Sequence, residues 1–330
     1  MIPTTELQIA IRAVLKACSV CTTIRASKAC EDAISKKDRS PVTIADFGSQ
    51  AVIVHELLDA FSEARIVAEE DSAQMQSLRG TPLGQDMVQA VAQVLPGADW
   101  EQISEWVSKG NFEGSATGRF WTIDPIDGTK GFLRNGQYAV ALSLIEDGEP
   151  ILGVLGCPNY PVKGFETPAS DRGVLFFAEK EQGAYKLPLD EPDLNKADRI
   201  QVSPIRTTSE ARLCESFESS HSSHGASGRI ANALGITKES LRIDSQCKYA
   251  AVANGDASIY LRMPTSDDYR EKIWDHGAGM IVNLEAGGWV TDIHGARLDF
   301  SQGRMLKNNR GIVAAPRSIH EEVLKAIENR

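Results

Sequence analysis

The stretch FWTIDPIDGTKGF, residues 120–132, sets the terms for the whole chain. Phe120, Trp121, Thr122 and Ile123 have strand character and run straight into Asp124-Pro125-Ile126-Asp127-Gly128-Thr129. Asp-Gly and Pro are ordinary turn punctuation, so one reading is a simple turn. The other is a site, in which two carboxylates at a strand end hold a divalent cation against a phosphate. This stretch alone leaves both open.

Around it lies a chain of 330 residues, long enough for two domains or one large layered one. Hydrophobic residues make up 42% and charged residues 24%, ordinary values for a globular protein. The net charge is −10 and the pI about 5.2. A general nucleic-acid binder carries a basic footprint, and this composition excludes one. An acidic chain still binds an anionic substrate where cations reverse the local field. No run approaches 18 to 20 uninterrupted apolar residues, so no membrane contact is expected. The N-terminal segment carries Glu6, Arg12 and Lys16, which fits an amphipathic helix and not a secretion signal. Cys18 and Cys21 form a CxxC on that helix with no second pair, which favours plain thiols over a zinc or redox site. The expectation is an intracellular, cytoplasmic protein.

Leu7, Ile11, Val14, Leu15, Cys18 and Cys21 follow helical spacing after Thr4 and Thr5. A polar loop over residues 35–46 feeds a second helix with the stripe Phe47, Ala51, Val54, Leu58 and Phe61. Ile66-Val67-Ala68 is a short strand ending in Glu69, Glu70 and Asp71, and weaker helical patterns follow at 85–95 and 100–109. YAVALSLI and PILGVLG form a hairpin around Asp147-Gly148, and GVLFFA and GAYKL extend the same β-rich half. Residues 186–199 are polar with two prolines and place a domain boundary there, dividing the chain into 1–195 and 196–330. Beyond it strands and helices alternate. RIQV, a helix near 225–234, RID, a helix from about 246, SIYLRM, a helix after Trp274, then WV and IVAA predict an α/β half.

Acidic residues stand at four element ends: Asp46 at a helix start, Glu69 and Glu70 after a strand, Asp124 and Asp127 after another, and Asp275 in IWDHGAG. Singly, Asp46 and Asp275 suit a helix cap or first turn. Together they are harder to dismiss, because two like charges about 4 Å apart repel by roughly 4 kcal/mol at an effective dielectric near 20. An oxygen-only set without His or Cys favours Mg²⁺, with Mn²⁺ as a substitute, over zinc. Gly128-Thr129-Lys130-Gly131, starting a helix, would aim backbone N–H groups at the phosphate, although the Walker pattern is missing.

DPIDGT at 124–129 and WDHGAG at 274–279 resemble the two defining motifs of the inositol monophosphatase superfamily. IVAEE at 66–70 resembles its third acidic motif, with Ala68 where glycine is usual. SPVTIADFGSQ (40–50), HSSH (221–224), DSQCKYAAVANG (244–255), YLRMP (260–264) and EKIWDHGAG (271–279) are similar to the lithium-sensitive 3′(2′),5′-bisphosphate nucleotidases. The resemblance implies a layered sugar-phosphatase fold of the α/β and α+β kind, with alternating helix and sheet layers and the site between two halves. It implies Mg²⁺-dependent removal of the 3′-phosphate from 3′-phosphoadenosine 5′-phosphate, action on the 5′-phosphosulfate, and inhibition by Li⁺. By the same likeness, Glu69, Asp124, the Ile126 carbonyl, Asp127 and Asp275 hold two or three metal ions. Asp46 and Thr129 orient and deprotonate the attacking water, and Glu70 supports the ligands. His221, Ser245, Lys248 and Arg262 hold the nucleotide, with His224 an alternative to His221; Thr129 and Asp275 also face substrate. Lys and Arg are natural phosphate partners. The loop with Lys36, Lys37 and Arg39 is a candidate lid. The implied partner is a small-molecule nucleotide, bound by a monomer. Rival readings are an inositol phosphate phosphatase, a non-catalytic nucleotide sensor and a two-metal nuclease.

Overall fold

Thr4 starts the first helix, its hydroxyl accepting from the Leu7 N–H at 3.2 Å, and α1 runs Thr5–Ala26. In this computed structural model the described residues are 3–27, 34–35, 41–165, 171–217, 224–264, 266 and 268–329. By length and composition α1 could cross a membrane, yet more than half of it is buried within the protein. The two-residue strands β1 (Ile34–Ser35) and β2 (Pro41–Val42) pair with each other and lead into α2, Ile44–Ala60. The short strand β3 (Ile66–Ala68) and helices α3 (Ser72–Met75), α4 (Pro82–Val94) and α5 (Trp100–Ser108) follow.

Next come β4 (Arg119–Asp127), α6 (Thr129–Leu133), β5 (Ala139–Glu146), β6 (Glu149–Pro161), β7 (Arg172–Glu179), β8 (Gly183–Pro188) and β9 (Asp198–Ile200). Strands β3 to β9 form one sheet in sequence order, parallel only between β3 and β4. The RIQV strand, expected to open the second half, is instead the edge of this first sheet, with Ile200 opposite Ala184 of β8. The second half contains β10 (Leu213–Glu215), α7 (His224–Ala233), β11 (Leu241–Arg242), α8 (Cys247–Ala253) and β12 (Ile259–Arg262). It ends with α9 (Gly277–Glu285), β13 (Gly288–Thr291), β14 (Ile312–Pro316) and α10 (Arg317–Glu328). Its five strands are ordered β11-β10-β12-β14-β13. In this half two elements stand outside the expected set, the three-residue strand β10 and the C-terminal α10, as the short β1, β2 and α3 do in the first.

Three apolar clusters order these elements into layers, as strand alternation requires. Trp121 and Ile123 of β4 pack with α1 and α2, whereas Phe120 faces the cluster shared with α8 and α9. In β14, Ile312 and Ala314 join that same middle layer, while Val313 and Ala315 pack outward with Ile319 and Val323 of α10. The result is helix, sheet, helix, sheet, helix. Two glycines of β6 permit the close approach of helices on its two faces. A Cβ at Gly153 would collide with Ala278 and Ile281 of α9, and one at Gly156 with Val14 and Cys18 of α1.

Candidate active site

The opening strand ends in a bulge. Asp124 lies opposite Ala141 but Asp127 opposite Ala139, so β4 spends one extra residue there. On a regular strand, residues three apart point to opposite faces, and the extra residue resets that alternation. Gly128 follows at φ 90°, a left-handed conformation that glycine adopts without strain, and α6 begins at Thr129.

Helix α2 braces this turn from below. Asp46 does serve as a first-turn residue, its Oδ2 accepting from the Thr43 N–H at 2.8 Å and the Thr43 hydroxyl at 2.7 Å. Its other oxygen, Oδ1, lies 3.5 Å from the Thr129 hydroxyl, which is also 3.3 Å from the Ile126 carbonyl. The cap and the contact with Thr129 thus fall to different oxygens of one carboxylate. Ser49 donates to the Pro125 carbonyl at 3.0 Å. The Gln50 side chain bonds both the N–H and the C=O of Glu70, each at 2.9 Å, and pins the acidic end of β3. Asp46, Ser49 and Gln50 are all buried. A polar stripe at i, i+3, i+4 within the otherwise apolar first three turns of α2 is the signal that marks Ser49 and Gln50.

Glu69 joins β4 through its N–H, which donates to the Ile123 carbonyl at 3.2 Å. Arg304 ties this corner to the distant WDHGAG segment. It donates to the Ala68 carbonyl at 2.6 Å and lies 4.8 Å from the Trp274 ring centre. Gln246 makes a second tie. Its N–H donates to Asp127 Oδ2 at 2.6 Å, its amide nitrogen to the Trp274 carbonyl at 2.9 Å, and its amide oxygen accepts from the Gly279 N–H at 2.9 Å. Arg304 carries no local sequence signal, and Gln246, though inside DSQCKYAAVANG, gives none of these bonds away, because the partners are remote in the chain.

The electrostatics fit a cation. Burial pushes Asp127 up to about 6, and the charge of Glu69 adds to that rise against Lys248, Arg262 and the Gln246 amide. Burial likewise raises Asp275 well above the carboxylate range, with Arg262 opposing and Asp127 and Glu69 adding. Asp124 is buried on the same strand end as Asp127. Carboxylates that raise one another in this way are stabilised by a positive ion among them, and an all-oxygen set suits Mg²⁺ better than zinc. Glu271, Asp275 and His276 also have ligand atoms within 4.8 Å of one another. Glu271 is nonetheless engaged by Arg262 Nε at 2.8 Å and His276 Nε2 at 3.3 Å. Burial alone would raise Glu271, but these two partners hold it down to about 2, and burial keeps His276 below its ordinary value.

On the second half, Ser245 occupies φ 65°, a strained conformation for a non-glycine residue, and packs its Cβ toward Gly128. Lys248 is buried, donates to the Ser216 hydroxyl at 3.1 Å and lies 5.2 Å from the Tyr260 ring centre. The Arg262 side chain is 17% exposed and its Nη2 is 3.9 Å from Asp275 Oδ2. Neither side chain is solvated surface. His221, Lys36, Lys37 and Arg39 lie outside the described residues, and of His224 only its place at the start of α7 is described. Among the described residues, Cys18, Cys21, Cys157, Cys214 and Cys247 are buried and unpaired.

Comparison with known proteins places the chain in a family. The family model described as the inositol monophosphatase family matches residues 3–330. A 3′(2′),5′-bisphosphate nucleotidase of Dictyostelium discoideum is 43% identical over 328 residues, covering 97% of this chain and 95% of that protein. One from Emericella nidulans is 42% identical over 315 residues, covering 89% and 90%. Among solved structures, a Thermotoga maritima IMPase superposes with a TM-score of 0.66 at 21% identity, covering 99% of this chain and 98% of its own. The extragenic suppressor protein suhB of Bartonella henselae gives 0.67 at 19%, covering 98% and 99%. These structural likenesses show the layered fold, and the near-complete family match shows the lineage: the chain belongs to the inositol monophosphatase family.

Proposed function

We propose that this chain hydrolyses the 3′-phosphate of 3′-phosphoadenosine 5′-phosphate to give AMP and phosphate, and treats the 5′-phosphosulfate likewise. The observation that carries the chemistry is the buried Asp46 carboxylate facing the Thr129 hydroxyl across the turn that holds Asp124 and Asp127. The names of relatives at 42–43% identity support the substrate. Divalent cations, Mg²⁺ or Mn²⁺, held by Glu69, Asp124, the Ile126 carbonyl, Asp127 and Asp275, would neutralise the phosphate and acidify the attacking water.

The protein's own groups do the rest. With Thr129 Oγ donating to Asp46, its oxygen lone pairs accept from the water and orient it toward phosphorus. The proton leaves toward Asp46 as the new P–O bond forms and the bond to the 3′-oxygen breaks, and that oxygen takes up a proton from solvent to become the 3′-hydroxyl of AMP. Gln246 and Arg304 keep the two acidic corners in register, and Glu70 stays fixed through Gln50. Ser245, Lys248 and Arg262 hold the 5′-phosphate end, with His221 or His224 completing that side. On this reading residues 1–195 carry most of the metal site and 196–330 the nucleotide, in a cytoplasmic monomer.

The test is phosphate release from 3′-phosphoadenosine 5′-phosphate and, in parallel, inositol 1-phosphate, with Mg²⁺, with EDTA, and across a Li⁺ titration. Mg²⁺-dependent, Li⁺-inhibited release from the nucleotide is expected. Preference for the inositol ester overturns the assignment of the second half, and activity that survives EDTA overturns the cation site.

A further inference from the structure

Arg262 stands between two carboxylates and is committed to one of them. Its Nε is 2.8 Å from Glu271 Oε2, whereas its Nη2 is 3.9 Å from Asp275 Oδ2. Glu271 is held firmly from behind. It is buried, its carbonyl accepts from the Leu306 N–H at 2.9 Å, and its Oε2 lies 3.3 Å from His276 Nε2. The other nitrogen of that ring, Nδ1, is 2.9 Å from the Tyr249 hydroxyl, and neither His276 nor Tyr249 has measurable exposure. With Tyr249 donating to Nδ1, the proton of neutral His276 sits on Nε2 and points at Glu271, an assignment taken from the hydrogen-bond network. The carboxylate therefore has a fixed position, set by residues that do not reach the cleft.

We propose that Glu271 is a positioning residue that keeps the Arg262 guanidinium out of a close ion pair with Asp275. Asp275 then stays available to a cation, and the Arg262 guanidinium, whose Nη2 also donates to the Tyr269 hydroxyl at 3.2 Å, stays available to the anionic end of the substrate. Remove the charge of Glu271, and Asp275 becomes the remaining acidic partner within reach of a side chain only partly exposed. A small rotation closes the 3.9 Å gap. A carboxylate gripped by a guanidinium is a poor cation ligand, since its lone pairs and charge are already engaged. The inference rests on the reading of Asp275 as a cation ligand.

The experiment measures Mn²⁺ binding without substrate, by electron paramagnetic resonance of the free ion, in the wild type and in five variants, Glu271→Gln and Glu271→Asp each with and without Arg262→Met, and Asp275→Asn. Glu271→Gln is expected to weaken binding by about 10- to 100-fold, the usual cost of losing a group that orients a metal ligand. Adding Arg262→Met removes the competing cation and is expected to restore wild-type affinity in the double variant. A purely structural role for Glu271 does not give that rescue. Wild-type affinity in Glu271→Gln, or a double variant as weak as the single one, overturns the proposal. Should thermal melting show Glu271→Gln unfolded, Glu271→Asp keeps the charge but withdraws it by one methylene. It is then expected to weaken binding in the same rescuable way, and no rescue overturns the proposal. Asp275→Asn separates the two layers of inference. Unchanged binding there overturns the ligand reading and this proposal with it, whereas weakened binding there beside unchanged binding in Glu271→Gln overturns the proposal alone.

Discussion

Replacing Gln246 by Met removes one amide from the middle of the site while keeping its volume. That amide donates to the Trp274 carbonyl and accepts from the Gly279 N–H, both at 2.9 Å, in a side chain that is 2% exposed. The two backbone groups left behind are in the motif that carries Asp275, and water does not reach them easily. Each orphaned buried group costs about 1–3 kcal/mol, so the substitution destabilises the protein by about 2–6 kcal/mol. Unfolding entropy of about 2.1 cal/mol/K per residue over 330 residues comes to about 0.7 kcal/mol/K, which converts that loss into a Tm lower by about 3–9 °C. Circular dichroism melting in EDTA measures this without a contribution from bound cation. Gln246→Ala adds a cavity and should melt lower still. Phosphate release should fall in both, because the Gln246 N–H that positions Asp127 loses its side-chain anchor. A Tm within about 1 °C of wild type in Gln246→Met refutes the claim that this residue joins the two motifs.

Thr129→Val keeps the shape of the turn but removes the hydroxyl facing Asp46. Phosphate release should drop about 100-fold or more, with the melting temperature unchanged, since only proton handling is lost. Gly279→Ala should cost about 1–3 kcal/mol in urea denaturation, because the new Cβ would sit under 3.0 Å from three Tyr249 atoms. Glu56 supplies a pH-dependent case. Burial alone would raise it, but the hydrogen bonds from Lys16 and Arg12, at 2.6 and 2.5 Å, outweigh burial and hold it below 4.5. A lowered folded-state value stabilises above the unfolded carboxylate's pKa and fades as pH falls through the folded one. Glu56→Gln should therefore be less stable than wild type at pH 7, by about 1 kcal/mol given the exposure of its partners, and the difference should fade as pH falls through the lowered folded-state value.

How much of this was legible follows from the range over which each signal acts. The apolar stripe of α1 repeats every three or four residues, and a helix is the only regular structure that buries such a stripe on one side. The second helix was equally plain, and so was the hairpin around Asp147-Gly148. Helix α10 carries the same kind of signal in Ile319, Val323 and Ile327, yet falls outside the expected set, as does the three-residue strand β10. The RIQV strand was legible as a strand but not as a member of the first sheet. Pairing with β8 depends on which edge is open, and no local pattern encodes that.

The site divides along the same line. Carboxylates at four element ends are visible because strands and helices end where their patterns end. Their convergence is not visible, because it is produced by the bulge between Asp124 and Asp127, by Gln50 clamping Glu70, and by Gln246 and Arg304 spanning from one motif to the other. Each of these joins residues separated by a turn whose geometry only the folded chain determines. Asp46 makes the point at the scale of one residue. The cap expectation and the site expectation both concern this side chain, and each has its own oxygen, Oδ2 bonded to Thr43 and Oδ1 facing Thr129. Sequence pattern could weigh those readings against each other only as rivals. In the folded protein the cap is what aims the second oxygen, since the two bonds from Thr43 fix Oδ2 and leave Oδ1 turned toward Thr129.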